Sequence, residues 1–549
     1  MHTATAPSGP LARLLGAPAA PSKWMTMLAV CVGLGMLMID TFVVNVAFPA
    51  IGEDLDASLG LAEWTVSGYV LALGVLPLAM GRLGDLFGRR RVYLLGLIVF
   101  ITSSGACGLA PNIESLIAFR VVQGAGAAVM MPGTLSIITA AFPPEQRGLA
   151  IGAWGGVSGL GLIAGPILGG VLVETGDWRW IFLVNLPLGV VALALGLRFV
   201  AETRDESAPP QVDWIGVGLL AAGLGAITFG LTRANEQGWT SPWMLACFIA
   251  GPALVVAFVL FEARARYPLV DLSLFRSGTF VMACVSAFLF SAAVFGSQPF
   301  TSLFMQNYMG MSPIEGGLAF IPATVLVAVL MPVSGIMGQR LGSQLRLIVI
   351  AGSLLVGVSY IALLWVDTDA RYVEDLLPAF VLRGLGIGLF MSATSLATMS
   401  AVPLARAGLA SGTLTMFRQL GTALGVAVLG AIFLHHIDAT VPGQLEAQGV
   451  PAEQAARFEA AAEHFVAAGD GEAHETVRAE IVDGYVLLAV YGIAISALAA
   501  AAAFFIRHSA PAARAQAPSR RAAAEPALAP GPAAPSSPMN PDYQSPGGP

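Results

Sequence analysis

Long apolar runs fill most of the chain, and short polar breaks divide them. A helix that crosses a bilayer needs about 20 mostly apolar residues. By that measure the runs lie near 25–48, 62–80, 92–110, 115–140, 149–173, 181–200, 214–233, 242–262, 279–303, 316–338, 346–366, 376–400, 408–434 and 484–506. They predict an all-α membrane protein with fourteen spanning helices. The first run lacks a small-residue cleavage site, so it is expected to stay as a span rather than leave as a signal peptide. The break at 435–483 is unusually long, and its Ala- and Glu-rich part, 452–468, predicts a helix outside the membrane. The tail at 508–549 is rich in Pro, Ala and Ser and predicts disorder.

Charge in the breaks sets the orientation. One side collects Arg82, Arg89, Arg90, Arg91, Arg147, Arg264, Arg266, Arg276, Arg340, Arg346 and Arg406, and Arg507 follows the last span. The other collects Glu53, Asp54, Asp56, Asp177, Asp367, Asp369, Glu374 and Asp375. Basic loops stay in the cytoplasm, and an even number of spans then puts both termini there. Nearly all the basic residues are Arg, amid much Ala, Gly and Pro, which suits a GC-rich bacterial genome. The expected location is the bacterial inner membrane.

Composition narrows the function. The chain is 56% hydrophobic and 11% charged, against about 25% charged in a soluble domain. Its 63 glycines suit close helix packing in a bilayer. A net charge of −7 without a basic patch argues against nucleic acid. Cys31, Cys107, Cys247 and Cys284 all fall inside apolar runs without a CxxC pair, so no metal or disulfide is expected. The chain has no GxxxxGK[ST], HExxH or GxSxG, which points away from an ATPase or other enzyme and from any cofactor.

The chain also echoes itself. Gly81–Gly88 after span 2 pairs with Gly335–Gly342 after span 10, Arg120 in span 4 with Arg383, and Arg147–Gly148 with Arg406–Gly408. Each echo comes roughly 260 positions later. The expected plan is a tail at 1–24, a six-helix bundle at 25–200, two inserted helices with linkers at 201–277, and a second bundle at 278–507. Such repeats are common in transporters, with the substrate site between the halves.

The loop Gly81-Arg82-Leu83-Gly84-Asp85-Leu86-Phe87-Gly88-Arg89-Arg90-Arg91 resembles the signature loop of the major facilitator superfamily. Leu86 stands where the family often has a basic residue. The resemblance implies a conformational gate built from Gly81, Gly84, Asp85, Gly88, Arg89 and Arg90. In span 5, Gly155, Gly156, Gly159, Gly161, Gly165, Pro166, Gly169 and Gly170 resemble the superfamily's antiporter motif. The stretch Met38–Pro49, Trp178–Pro187, Leu274–Arg276 and Gly412–Gly425 resemble hallmarks of its fourteen-helix drug:proton antiporters. The resemblance implies two six-helix bundles plus two inserted helices, and proton-coupled export of drugs or other lipophilic or cationic small molecules by alternating access. An importer, or a lipid or secondary-metabolite transporter on the same fold, is the alternative. The expected partners are substrate, protons and lipid, and the expected working unit is a monomer.

An ionisable group at membrane depth costs about 2.5–3.5 kcal/mol on insertion scales, so each needs a reason. Asp40 inside span 1 is the clearest. Burial favours its neutral form, which suits a proton carrier. Arg120 matches the family's Arg motif, which implies a proton relay with Asp40. Candidate cavity residues are Asn45, Gln123, Gln298, Phe304, Gln306, Met391 and Gln419. Arg383 and Arg418 are expected near the inner surface, and Glu63 and Glu315 at outer ends, solvated.

Overall fold

The computed structural model describes residues 22–143, 146–203, 213–265, 268, 270, 272–341, 344–402, 407–467 and 471–506. Both expected tails lie outside them, apart from residues 22–24. Among the described residues there is no β-strand. Twelve helices are long and apolar enough to cross a membrane. In chain order they are α1 (Lys23–Asp54), α3 (Arg89–Gly108), α4 (Ile113–Ile138), α6 (Trp180–Phe199), α7 (Trp214–Ala234), α8 (Pro242–Glu262), α9 (Gly278–Tyr308), α10 (Pro313–Gly338), α11 (Leu345–Trp365), α12 (Tyr372–Ser400), α13 (Ala410–Ala447) and α14 (Glu472–Phe504). Two more stand where the apolar pattern puts spans 2 and 5. They are α2 (Leu59–Val75), prolonged by Pro77–Phe87, and α5 (Arg147–Thr175).

The pairings of the first six helices recur eight helices later. α1 packs on α5 and α6, as α9 does on α13 and α14; α4 packs on α2 and α3, as α12 does on α10 and α11. α7 and α8 pack on each other, and α7 also touches α2 and α13, where the Trp64 indole donates to Thr232 Oγ1 at 2.8 Å.

Small residues set the tightest crossings, because dispersion in lipid rewards close backbone approach. On α5, Gly161, Gly165 and Gly169 recur every four residues and face one stripe of α1. A Cβ at Gly165 would sit 2.8 Å from Phe42 Cβ, and one at Gly169 3.1 Å from the Val43 carbonyl oxygen. In the second half, a Cβ at Gly425 would sit 2.5 Å from the Ala292 carbonyl oxygen, and one at Gly421 would strike the Phe288 carbonyl oxygen. Backbone cannot step aside as a side chain can, and overpacking costs about 1–3 kcal/mol. Gly421→Leu is therefore expected to lower the thermal midpoint of purified protein by several degrees, read by loss of the monodisperse peak after heating.

The two sets of helices meet at the end that the charge pattern makes outer. Gly310, at φ +71°, ends α9. Ser312 then caps α10, accepting from Glu315 N at 3.3 Å while Glu315 Oε2 accepts from Ser312 N at 2.9 Å. Pro313 at the first position completes a strong start signal. This turn seats the α10 start against Gly170 of α5, where a Cβ would lie 2.5 Å from the Pro313 carbonyl oxygen. A Cβ on Gly317 would in turn strike the Pro166 carbonyl oxygen. Ile314 N donates to Glu174 Oε2 at 3.0 Å. Nearby, α9 ends in a π-helical turn, Phe304–Tyr308, from which Gln306 Nε2 donates to the Val46 carbonyl of α1 at 2.9 Å.

Much of the expected long loop is helical. α13 continues to Ala447, α14 begins at Glu472, and Ala452–Glu463 forms a helix between them. Glu480 Oε2 lies 3.1 Å from His436 Nε2, and Glu480 Oε1 accepts from Gln444. Phe465 stacks on Phe433 with centroids 4.1 Å apart. Asn307 Nδ2 donates to the His464 carbonyl at 2.8 Å, and His464 Nε2 lies 2.9 Å from the Ala57 carbonyl oxygen between α1 and α2. The described part of 435–483, residues 435–467 and 471–483, is thus a packed helical cap.

Candidate functional site

The stripe that seats α1 on α5 leaves Asp40 free for another neighbour. Asp40 comes two positions after Met38, about 200° further round the helix, and so faces α4. There, one turn of α4 carries Arg120 and Gln123 on a shared face. Arg120 Nη1 donates to Asp40 Oδ2 at 2.8 Å, and Gln123 Nε2 donates to Asp40 Oδ1 at 2.8 Å. Asn185 Nδ2, from the start of α6, donates to the same Oδ1 at 2.8 Å and to Ser104 Oγ of α3 at 3.0 Å. Arg120 is itself tied down. Its Nε donates to the Thr65 carbonyl of α2 at 2.9 Å and its Nη1 to Gln123 Oε1 at 2.8 Å, while its guanidinium lies 4.0 Å from the centre of the Tyr69 ring. Asp40, Arg120, Gln123 and Asn185 are at most 1% exposed. Five helices contribute to this one centre.

Asp40 accepts three hydrogen bonds, one of them from a guanidinium, a donor set that suits an ionised carboxylate.

Asn185 is the member that sequence reasoning left out of the site, although it lies in the quoted stretch Trp178–Pro187. The rest of that stretch explains its placement. Trp178 Nε1 and Arg179 Nη1 both donate to Asp54 Oδ2 at the outer end of α1, at 3.1 and 2.8 Å. They pin the approach to α6 and bring Asn185 under Asp40. Ser104, Thr65 and Tyr69 carried no signal of their own.

The other candidates fall elsewhere. Asn45 is buried further along α1, and Asp40's bonds go to other partners. Phe304 is fully buried in an outer aromatic stack between Tyr485, at 4.1 Å, and Tyr308, at 4.8 Å, which makes it packing rather than cavity lining. Gln306 belongs to the outer contact with Val46. Gln298 is half-buried and begins a short helix, Gln298–Leu303, that packs on α1. Met391 and Gln419 are half-buried. The Met391 carbonyl accepts from Arg418 at 2.9 Å, and Gln419 sits at the crossing of α13 with Gly74 of α2.

Two expected surface groups are interior. Glu63 is fully buried against Gly430, because α13 runs past the outer end of α2 and covers it; Glu315 is exposed, as expected. Arg383 is 7% exposed and lies in the outer half of α12, not near the inner surface.

In the signature loop, Gly88 adopts φ +106°, and a Cβ there would strike the Glu202 carboxylate. Arg90 N donates to Glu202 Oε1 at 3.1 Å and Arg89 N to the Thr203 carbonyl at 2.8 Å, so the loop docks on the chain just after α6. Gly84 faces Arg89. Gly81, Arg82 and Asp85, and Gly155, Gly156 and Gly159, lie on helical backbone, and their surroundings are not among the described features.

Residues 30–426 match the family model described as Major Facilitator Superfamily. The chain is similar to the tetracenomycin C resistance and export protein of Streptomyces glaucescens, with 35% identity over 92% of this chain and 95% of that one. It is also similar to the multidrug resistance protein Stp of Mycobacterium tuberculosis, with 34% identity over 77% of this chain and 78% of that one. Among solved structures it resembles an inward-facing bacterial homologue of the human lysosomal transporter Spinster. The TM-score is 0.60 and the identity 20%, covering 89% of this chain and 99% of the other.

Proposed function

Because the chain belongs to the Major Facilitator Superfamily, we propose that it is a proton-coupled exporter of drug-like or antibiotic small molecules, set in a bacterial inner membrane with both termini in the cytoplasm and working as a monomer. The observation that carries the coupling is the wholly buried pair of Asp40 and Arg120. A proton reaching Asp40 removes its charge and releases Arg120 from it, so α1 and α4 lose their strongest tie. Loss of the proton restores the tie. An element with two such states is what a transporter needs to link proton entry to a change of access. Export, rather than import, is supported by the name of the Streptomyces glaucescens relative, a resistance and export protein, and by the α5 glycine stripe seated on α1.

The repeated helix pairings support two bundles, 25–200 and 278–507, with 201–277 inserted between them. Substrate would bind between the bundles, near Gln123, Gln298, Met391 and Gln419. Gly81, Gly84, Asp85, Gly88, Arg89 and Arg90 would gate the inner side, and Gly161, Gly165, Pro166, Gly169 and Gly170 the outer contact. Inverted membrane vesicles with an acidic lumen test the reading. Addition of a transported aromatic antibiotic should dissipate the gradient, read as recovery of acridine-dye fluorescence. The antibiotic should accumulate inside, and an uncoupler should abolish that accumulation. Accumulation that is indifferent to the uncoupler would refute proton coupling.

A further inference from the structure

A buried arginine in the second bundle lacks what Arg120 has. Arg383 lies on α12, which is packed as α4 is, and its guanidinium sits 4.6 Å from the centre of the Tyr360 ring, much as Arg120 sits over Tyr69. The resemblance ends there. Among the described residues Arg383 meets no carboxylate, and its Nε is buried without a hydrogen-bond partner.

The surroundings are apolar walls with hydroxyls. Tyr360 OH donates to the Ala293 carbonyl at 2.5 Å and lies 2.8 Å from Ser297 Oγ; Tyr485 OH donates to Thr301 Oγ1 at 3.5 Å. Buried cations are normally paired, whereas Asp40 is already saturated by Arg120, Gln123 and Asn185. The interior therefore offers a cargo a positive charge to meet and no free negative charge from Asp40.

We propose that Arg383 is the binding site for an anionic group of the transported molecule: a carboxylate, or an acidic phenol in its ionised form. The planar fork of donors suits a carboxylate. This inference rests on the exporter reading and sharpens its substrate class.

The test compares anthraquinone-2-carboxylate with its methyl ester, using tryptophan quenching of the purified full-length protein. Wild type should bind the acid about tenfold tighter than the ester, the scale of one charge-assisted hydrogen-bond pair. Arg383→Gln should lose that preference while keeping its ester affinity, and Arg383→Lys should keep part of it. Retained ester binding shows that the variant is folded, and should Arg383→Gln not fold, the wild-type comparison and Arg383→Lys still decide. Equal binding of acid and ester by wild type, or an undiminished acid preference in Arg383→Gln, overturns the proposal. Resistance of expressing cells to neutral antibiotics is measured in parallel. Resistance without acid preference sinks only this inference, whereas loss of all resistance and gradient-driven uptake sinks the exporter reading.

Discussion

Asp40→Asn should reduce gradient-driven uptake into inverted vesicles by roughly two orders of magnitude while leaving substrate counterflow, which needs no proton, largely in place. The substitution keeps the size of the side chain and removes its charge. An amide nitrogen would then face either Arg120 or the amides of Gln123 and Asn185, all of which donate to Asp40. Removing one partner of a buried ion pair costs about 3–5 kcal/mol, because the other charge is left uncompensated. The two charge states of the centre would no longer differ, so a proton gradient would have nothing to act upon. Asp40→Glu, which restores the acid at a shifted position, should recover part of the uptake. Uptake and counterflow measured on the same vesicles separate coupling from folding. If Asp40→Asn accumulates substrate at the wild-type rate, Asp40 is not the proton site.

Gly170→Leu should hold the outer ends apart and abolish export from whole cells. Here the obstacle is backbone. The first carbon of the new side chain would lie 2.5 Å from the Pro313 carbonyl oxygen and 2.7 Å from Ile314 Cα, at the capped start of α10. The cap formed by Ser312 and Glu315 keeps that start from yielding. The two helices belong to different sets of packed neighbours, so they separate without unravelling either set. Gln306, which reaches Val46 beneath this contact, should then become accessible. In a Gln306→Cys background, adding Gly170→Leu should raise labelling by an externally added, membrane-impermeant maleimide about tenfold, the scale of a population shift of 1–2 kcal/mol. Unchanged labelling together with normal export would show that α5 and α10 need not touch at Gly170.

The sequence discloses the solvent, the spans and the expensive residues, because each is a local property. Asp40 and Arg120 stand out in apolar runs wherever their partners are. The partners are another matter. Asn185 comes 145 positions after Asp40, and hydropathy says nothing about which helices touch. Glu63 looked solvated because it lies near a span end; only the length of α13 buries it, and that length was hidden. The outer turns of α13 and α14 carry His435, His436, Glu446, Glu472 and Glu475, which a hydropathy ruler reads as loop even where the backbone stays helical. Arg383 failed differently. The repeat made it visible, but its lack of a carboxylate is a statement about three-dimensional neighbours.

The helical cap at 435–483 leaves a part of the transporter outside the permeability barrier. It touches both sets of helices, through His464 to Ala57 and through Asn307 to the end of α9, and in the proposed orientation it faces the medium. Any ligand that grips the cap as it is seated here would stabilise the outer-closed arrangement by its own binding energy. An antibody fragment or peptide against this segment could arrest export without crossing a membrane, and so without itself becoming cargo.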